Sequence, residues 1–212
     1  PSLARRVGDK PALFLDGPAG TQVPRRVIDA ISNYLIHHNA NHGGPFATSV
    51  ESDALIDRAR EACANFMGAS DPACIVFGAN MTTMTFHVSR AISKTWSAGD
   101  EIVLSQSDHD ANVTPWVLAA RDANVYVKWI PLRANDCTLD LESLPKLLSD
   151  KTRLVAVGCA SNATGTIHPV KEITRQAHSV GAKVYLDAVH YAPHGLIDVA
   201  DWDADFVIMS AY

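Results

Sequence analysis

Apolar positions along the chain alternate between short continuous runs and spaced stripes, the pattern of a layered α/β domain. Ile102-Val103-Leu104, Val125 to Ile130, Leu154 to Gly158, Val184-Tyr185-Leu186 and Phe206 to Met209 are rich in β-branched and aromatic residues and predict strands. Cys74 to Phe77 predicts a further buried strand. Leu154 to Gly158 is apolar without alternation, as in a central parallel strand covered on both faces. The stripe Val27, Ile28, Ile31 and Leu35 predicts a helix that opens at Pro24, where a missing N–H costs nothing, and runs to about His38. Leu55, Ala59, Ala62 and Phe66 predict a second helix, with Cys63 as packing. Leu141, Leu144, Leu147 and Leu148 mark another. Val170, Ile173, Ala177 and Val180 form the inward face of a helix between Pro169 and a Gly181 cap. Asp16 to Gly20 and Asn39 to Ser49 are too rich in Gly, Pro and Asn for regular structure.

The architecture this predicts is a three-layer α/β/α domain around a central, mostly parallel sheet. At 212 residues, 47% apolar and 19% charged, the chain can bury a core and is not disordered. A net charge of -5 and no basic stripe argue against nucleic acid or an anionic membrane as partner. No run approaches the ~20 apolar residues of a membrane span. The four cysteines, Cys63, Cys74, Cys137 and Cys159, form no C-x-x-C pair, which points to a reducing, cytoplasmic compartment.

The polar residues that bear chemistry stand at the ends of the predicted strands, where open α/β sheets bind ligands. Gly78-Ala79-Asn80 turns into a helix near Met81, whose free N–H groups, with the Thr82 and Thr83 hydroxyls, suit a phosphate, although many such junctions bind nothing. His109 follows the second strand; imidazole titrates near neutrality and offers a flat face, while a lone histidine is more often structural. Asn162 lies in a loop after the central strand, as a turn residue or a ligand contact. Asp187 and His190 leave one closing strand, Ser210 and Tyr212 the other. An Asp there either caps a turn or neutralises a cationic ring nitrogen, and the hydroxyls suit a phosphate.

Three segments carry a family resemblance. Ser105-Gln106-Ser107-Asp108-His109-Asp110-Ala111-Asn112 with Pro115-Trp116 is close to S-x-x-E-H-x-A-N-x-x-P-W; Ser161-Asn162-Ala163-Thr164-Gly165-Thr166 matches S-N-x-x-G-T; Asp187-Ala188-Val189-His190 followed by Ser210-Ala211-Tyr212 resembles D-x-x-Q/H and S-x-x before a lysine. Together they resemble the class V branch of fold-type-I pyridoxal-phosphate enzymes, which holds the cysteine desulfurases. The resemblance implies pyridoxal 5'-phosphate as cofactor and residues Asn80, Met81, Thr82, His109, Asn162, Asp187, His190, Ser210 and Tyr212 as its contacts. It implies His109 as the stacking, proton-moving catalytic residue, and no metal ligand. It makes residues 1–20 an N-terminal arm and residues 21–212 the cofactor-binding large domain, without the small C-terminal domain and stopping before the lysine that carries the cofactor. It further implies an amino-acid substrate, a desulfurase-like or aminotransferase reaction, and a homodimer with the site between subunits.

Two other classes stay open on residues alone. One is a metal-dependent hydrolase built on Asp108, His109, Asp110, His190 and His194, for which ligand types exist without an H-E-x-x-H spacing. The other is a non-catalytic module that keeps the cofactor fold for binding. A nicotinamide-binding domain is disfavoured because no G-x-G-x-x-G follows a predicted strand.

Overall fold

A computed structural model describes residues 2–15, 17 and 20–211. Tyr212, and Asp16, Pro18 and Ala19 of the Asp16 to Gly20 segment, lie outside the described residues. The chain divides into two compact units, one reaching to Cys63 and the other spanning Ala64–Ala211.

In the first unit, β1 (Arg6–Val7) and β2 (Lys10–Pro11) form a small antiparallel hairpin. Helix α1 (Arg25–His37) starts after Pro24, as its sequence predicts. Its stripe of Val27, Ile28, Ile31 and Leu35 is exposed, at 41–58%. Helix α2 (Ala47–Met67) departs from expectation in the face it buries. Leu55 and Phe66 are exposed, whereas Ser49, Ser52 and Ala64 are buried. The reason is hydrogen bonding: the Ser52 hydroxyl donates to the carbonyls of His38 (3.0 Å) and Thr48 (2.9 Å), and the Ser49 hydroxyl to that of Asn41. The first turns of α2 thus satisfy the carbonyls of an irregular loop, and hydroxyls outcompete apolar side chains for that face.

The second unit holds the sheet. Among the described residues its order is β4 (Tyr126–Ile130), β3 (Glu101–Ser105), β7 (Thr152–Gly158), β8 (Lys183–Asp187) and β9 (Phe206–Ile208), every neighbouring pair parallel. A two-stranded hairpin of β5 (Leu132–Arg133) and β6 (Thr138–Leu139) follows β4. The pleat sends alternate side chains to opposite faces. Val103, Val155, Val157, Val184 and Leu186 enter one core with Ile173 and Ala177 of α6 (Val170–His178) and Trp202 of α7 (Val199–Trp202). Ile102, Leu104, Leu154, Ala156 and Tyr185 enter the other with Met81 of α3 (Met81–Ile92) and Trp116 of α4 (Thr114–Ala123). Helices therefore cover both faces, and the three-layer α/β/α architecture stands.

Two expectations change here. Cys74 to Phe77 is not a buried strand: Pro72–Cys74 is a 3-10 turn capped by Asp71, and the extended run beyond it pairs with no described strand, leaving Val76 and Phe77 71% and 50% exposed. Strand propensity reports that a residue fits a pleated surface, and a strand exists only where a neighbour supplies the ladder. The leucine stripe from Leu141 to Leu148 contracts to a single turn, α5 (Leu144–Leu147), with Leu148 already extended.

Candidate active site at the carboxyl ends of the parallel strands

Every described candidate residue lies in the second unit, beyond the carboxyl ends of β3, β7, β8 and β9 or at the start of α3. Parallel register sets this: Gly158 of β7 pairs with Asp187 of β8, and Asp187 with Ile208 of β9, so the three strands end at one level.

At one side, Asn80 caps α3, its Oδ1 accepting from the Thr83 N–H at 2.9 Å. The Met81 N–H donates to the Ser210 hydroxyl at 3.0 Å. Among the described residues the Thr82 N–H meets no acceptor, so the helix start retains a free donor, the positive end of the helix dipole and the Ser210 hydroxyl proton. That donor set fits an anion with several acceptor oxygens.

Asp187 closes β8, buried, with Oδ1 accepting from the Val189 N–H at 2.9 Å. It thus caps a turn, and its other oxygen accepts no hydrogen bond among the described residues. Burial pushes its pKa up; the Val189 N–H and the electrostatic influence of nearby His109 pull the other way. A buried carboxyl with a spare oxygen is suited to an N–H cation.

His109 leads into a 3-10 turn, Asp110–Asn112, and its Nδ1 accepts from the Ala111 N–H at 3.1 Å. The neutral ring therefore keeps its proton on Nε2, the outward nitrogen. Asn162 is half-buried in a loop closed at its base by the Ala160–Ile167 bridge and by His168 N–H donating to the Cys159 carbonyl at 2.9 Å. His190 is half-buried in the turns after β8, its ring 5.5 Å from that of His194 in a T-shaped contact.

The fold thus joins Met81 to Ser210 directly and sets Asp187 within electrostatic reach of His109. Asn162 and His190 share no hydrogen bond with the others among the described residues. Sequence reasoning passed over Ser105, Ser107 and His168, which cluster with Asp108, the residue before His109. Only the position of Ser105, Ser107 and Asp108 inside the matched segment pointed there. A hollow of about 420 Å³ opens beside this loop, lined by Ser105, Gln106, Asp108, Asp110, Val113 and Trp129. Among the described residues no group of three or more His, Cys, Asp or Glu side chains is placed to hold a metal, and no helix is long and apolar enough to cross a membrane.

A parallel sheet with a helix start whose free donors fit an anion, and a buried acid at a strand end, is common to a large class of cofactor-dependent enzymes. The chain belongs within it to the aminotransferase class-V family, whose model matches residues 13–212. The probable cysteine desulfurase of Vibrio cholerae is 34% identical over 214 residues, covering all of this chain and 53% of that protein. The aminotransferase-like protein FGM3 of Gibberella zeae is 38% identical over 96% of this chain and 52% of its own length. The solved cysteine desulfurase of Thermococcus onnurineus superposes with a TM-score of 0.86 at 29% identity, over 92% of this chain and 48% of that one. The cysteine desulfurase CsdA of Escherichia coli does so at 0.81 and 31%, over 92% and 49%. The chain spans about half the length of the curated relatives it matches.

Proposed function

We propose that this chain is the cofactor-binding part of a pyridoxal 5'-phosphate enzyme that acts on an amino acid, of the cysteine desulfurase type. Class V aminotransferases and cysteine desulfurases are pyridoxal 5'-phosphate enzymes. The observation that carries the reading is the pairing, at one sheet edge, of the Met81–Ser210 anion site with the spare oxygen of Asp187. The first suits a phosphate and the second a protonated ring nitrogen, the two charged ends of that cofactor.

When bound, the cofactor supplies an electron-accepting ring that stabilises carbanion character at the substrate. In this reading the Thr82 amide, with the Thr82, Ser210 and Tyr212 hydroxyls, holds the phosphate, while the Met81 amide fixes Ser210 and Asn80 secures the helix start. Asp187 keeps the ring nitrogen protonated. His109 lies on the ring face and moves a proton through Nε2, and Asn162 and His190 reach the ring oxygen. Cys159 takes no part as a nucleophile: burial and the nearby Asp187 and Asp108 push its thiol pKa far up. The unit of action in this reading is a homodimer in a reducing compartment.

A second reading, an aminotransferase, is favoured by the 38% identity to the aminotransferase-like protein. Both are tested on the full-length protein, by borohydride reduction with pyridoxal 5'-phosphate followed by peptide mass spectrometry. A pyridoxyl-modified lysine directly after Tyr212 supports the cofactor reading, and its absence sinks it. Sulfur released from cysteine then selects the desulfurase; an amino group passed to an oxo acid selects the aminotransferase.

A further inference from the structure

One buried histidine touches two loops of the candidate site and the strand end between them. His168, 4% exposed, closes the loop that carries Asn162. Its backbone N–H donates to the Cys159 carbonyl at 2.9 Å, and its ring Nδ1 lies 2.8 Å from the Gly158 carbonyl. On the other side of the ring, Nε2 lies 3.2 Å from the hydroxyl of Ser107, which stands two residues before His109 and 61 residues from His168.

Each neighbour constrains the ring. A carbonyl only accepts, so Nδ1 carries a proton. Burial favours the uncharged imidazole, which leaves Nε2 to accept the Ser107 hydroxyl proton. Ser107 is held for this by its own loop. Its N–H donates to Ser105 Oγ at 3.3 Å, Ser105 donates its hydroxyl proton to Asp108, and the other oxygen of Asp108 accepts from Asn112 Nδ2–H at 3.1 Å.

The two loops joined in this way are each hydrogen-bonded within themselves. Around His109, the Ala111 N–H donates to the His109 ring and the Asn112 N–H to the His109 carbonyl at 2.8 Å. Around Asn162, the Ser161 N–H donates to the Thr166 carbonyl and the Gly165 N–H to the Ser161 carbonyl, both at 2.9 Å. The Cys159 N–H donates to the Asp187 carbonyl at 2.8 Å, which fixes the base of the second loop to the end of β8. The His168 ring thus bridges two stiff pieces, and a displacement of one is passed to the other.

We propose that His168 is a positioning residue, a clasp that sets the His109 loop against the base of the Asn162 loop and so fixes the separation of those two side chains. The inference rests on the cofactor reading for the roles of His109 and Asn162; the clasp itself belongs to the protein alone.

Full-length wild type, Ser107→Ala, His168→Asn and the double variant carry the test. His168→Asn keeps a donor for the Gly158 carbonyl and loses the reach to Ser107. In nitrogen-15 spectra of the apoprotein at about pH 7.5, wild-type His168 should hold its proton on Nδ1. Amide exchange of the apoprotein should show each substitution crossing to the opposite loop. Ser107→Ala should speed exchange at the Gly165 N–H and His168→Asn at the Ala111 N–H, each about fivefold, and the double variant should exceed neither single. With pyridoxal 5'-phosphate bound, both single variants should change the visible circular dichroism of the cofactor. A neutral His168 ring protonated on Nε2 overturns the clasp. So do exchange changes confined to the loop that carries the substitution, or additive effects in the double variant; Ser107→Ala decides alone should His168→Asn fail to fold. An unchanged cofactor spectrum, with exchange as expected, overturns the positioning role. Absence of cofactor binding in wild type, with exchange as expected, overturns the cofactor reading instead.

Discussion

The backbone N–H of Met81 donates to the hydroxyl of Ser210 across 129 residues of chain, tying the start of α3 to the segment that follows β9. A helix start alone is a weak indicator of an anion site. A hydroxyl brought to it from the far end of the sheet gives it a second donor, and gives Ser210 a reason to be ordered without a ligand.

Ser210→Ala removes that acceptor from a half-buried N–H. The apoprotein should lose about 1 kcal/mol in urea unfolding, and pyridoxal 5'-phosphate should bind roughly tenfold more weakly by absorbance titration. Equal affinity would remove Ser210 from the proposed phosphate contacts.

The raised pKa of Asp108 makes a prediction for stability against pH. A carboxyl at about 7 in the folded chain and near 3.8 when unfolded holds its proton more tightly in the folded state. Its contribution is fully present below about pH 4, declines as pH rises to about 7, and is constant above that. Asp108→Asn does not titrate. It should match wild type near pH 4 and gain over it progressively as pH rises to about 7, as read by urea unfolding across that range.

Beneath the Met81 turn, Tyr185 and Thr85 hydroxyls meet at 2.8 Å in the core, and Thr85 also donates to the Met81 carbonyl at 3.0 Å. Tyr185→Phe leaves Thr85 bonded to that carbonyl and should cost about 1 kcal/mol. Thr85→Val strands the buried Tyr185 hydroxyl and should cost about 1–3 kcal/mol. The order of the two, by thermal or urea unfolding, is the discriminating result.

Gly158 gives Asp108 its room: a Cβ there would lie 2.9 Å from Asp108 Oδ1. Gly158→Ala should destabilise the protein by about 1–3 kcal/mol, and should cost less in an Asp108→Ala background. Additive effects in the double variant would mean that the clash is with something else.

Much of this fold was legible in the chain itself. The five sheet strands, the starts of α1 and α3, and the alternation between two cores follow from propensity and period, which act over a few consecutive residues. The matched segments likewise marked Asp187 and His109, and the structure places both at the sheet's carboxyl edge. Apolar character misled where it stood in for a partner: Cys74 to Phe77 looks like a strand but no described strand pairs with it, and Leu55 and Phe66 lost their helix face to Ser49 and Ser52. A local pattern states what a segment can bury, not what it will meet.

What only the tertiary structure decided are the contacts between distant residues. Ser107 and His168 are 61 residues apart, and Met81 and Ser210 more than twice that. Parallel register decides these meetings, because it sets the level at which each strand releases its loop. A serine or a histidine carries the same hydrogen-bonding capacity wherever it stands, so the sequence determined which groups could donate and accept, and the alignment of strand ends determined which of them did.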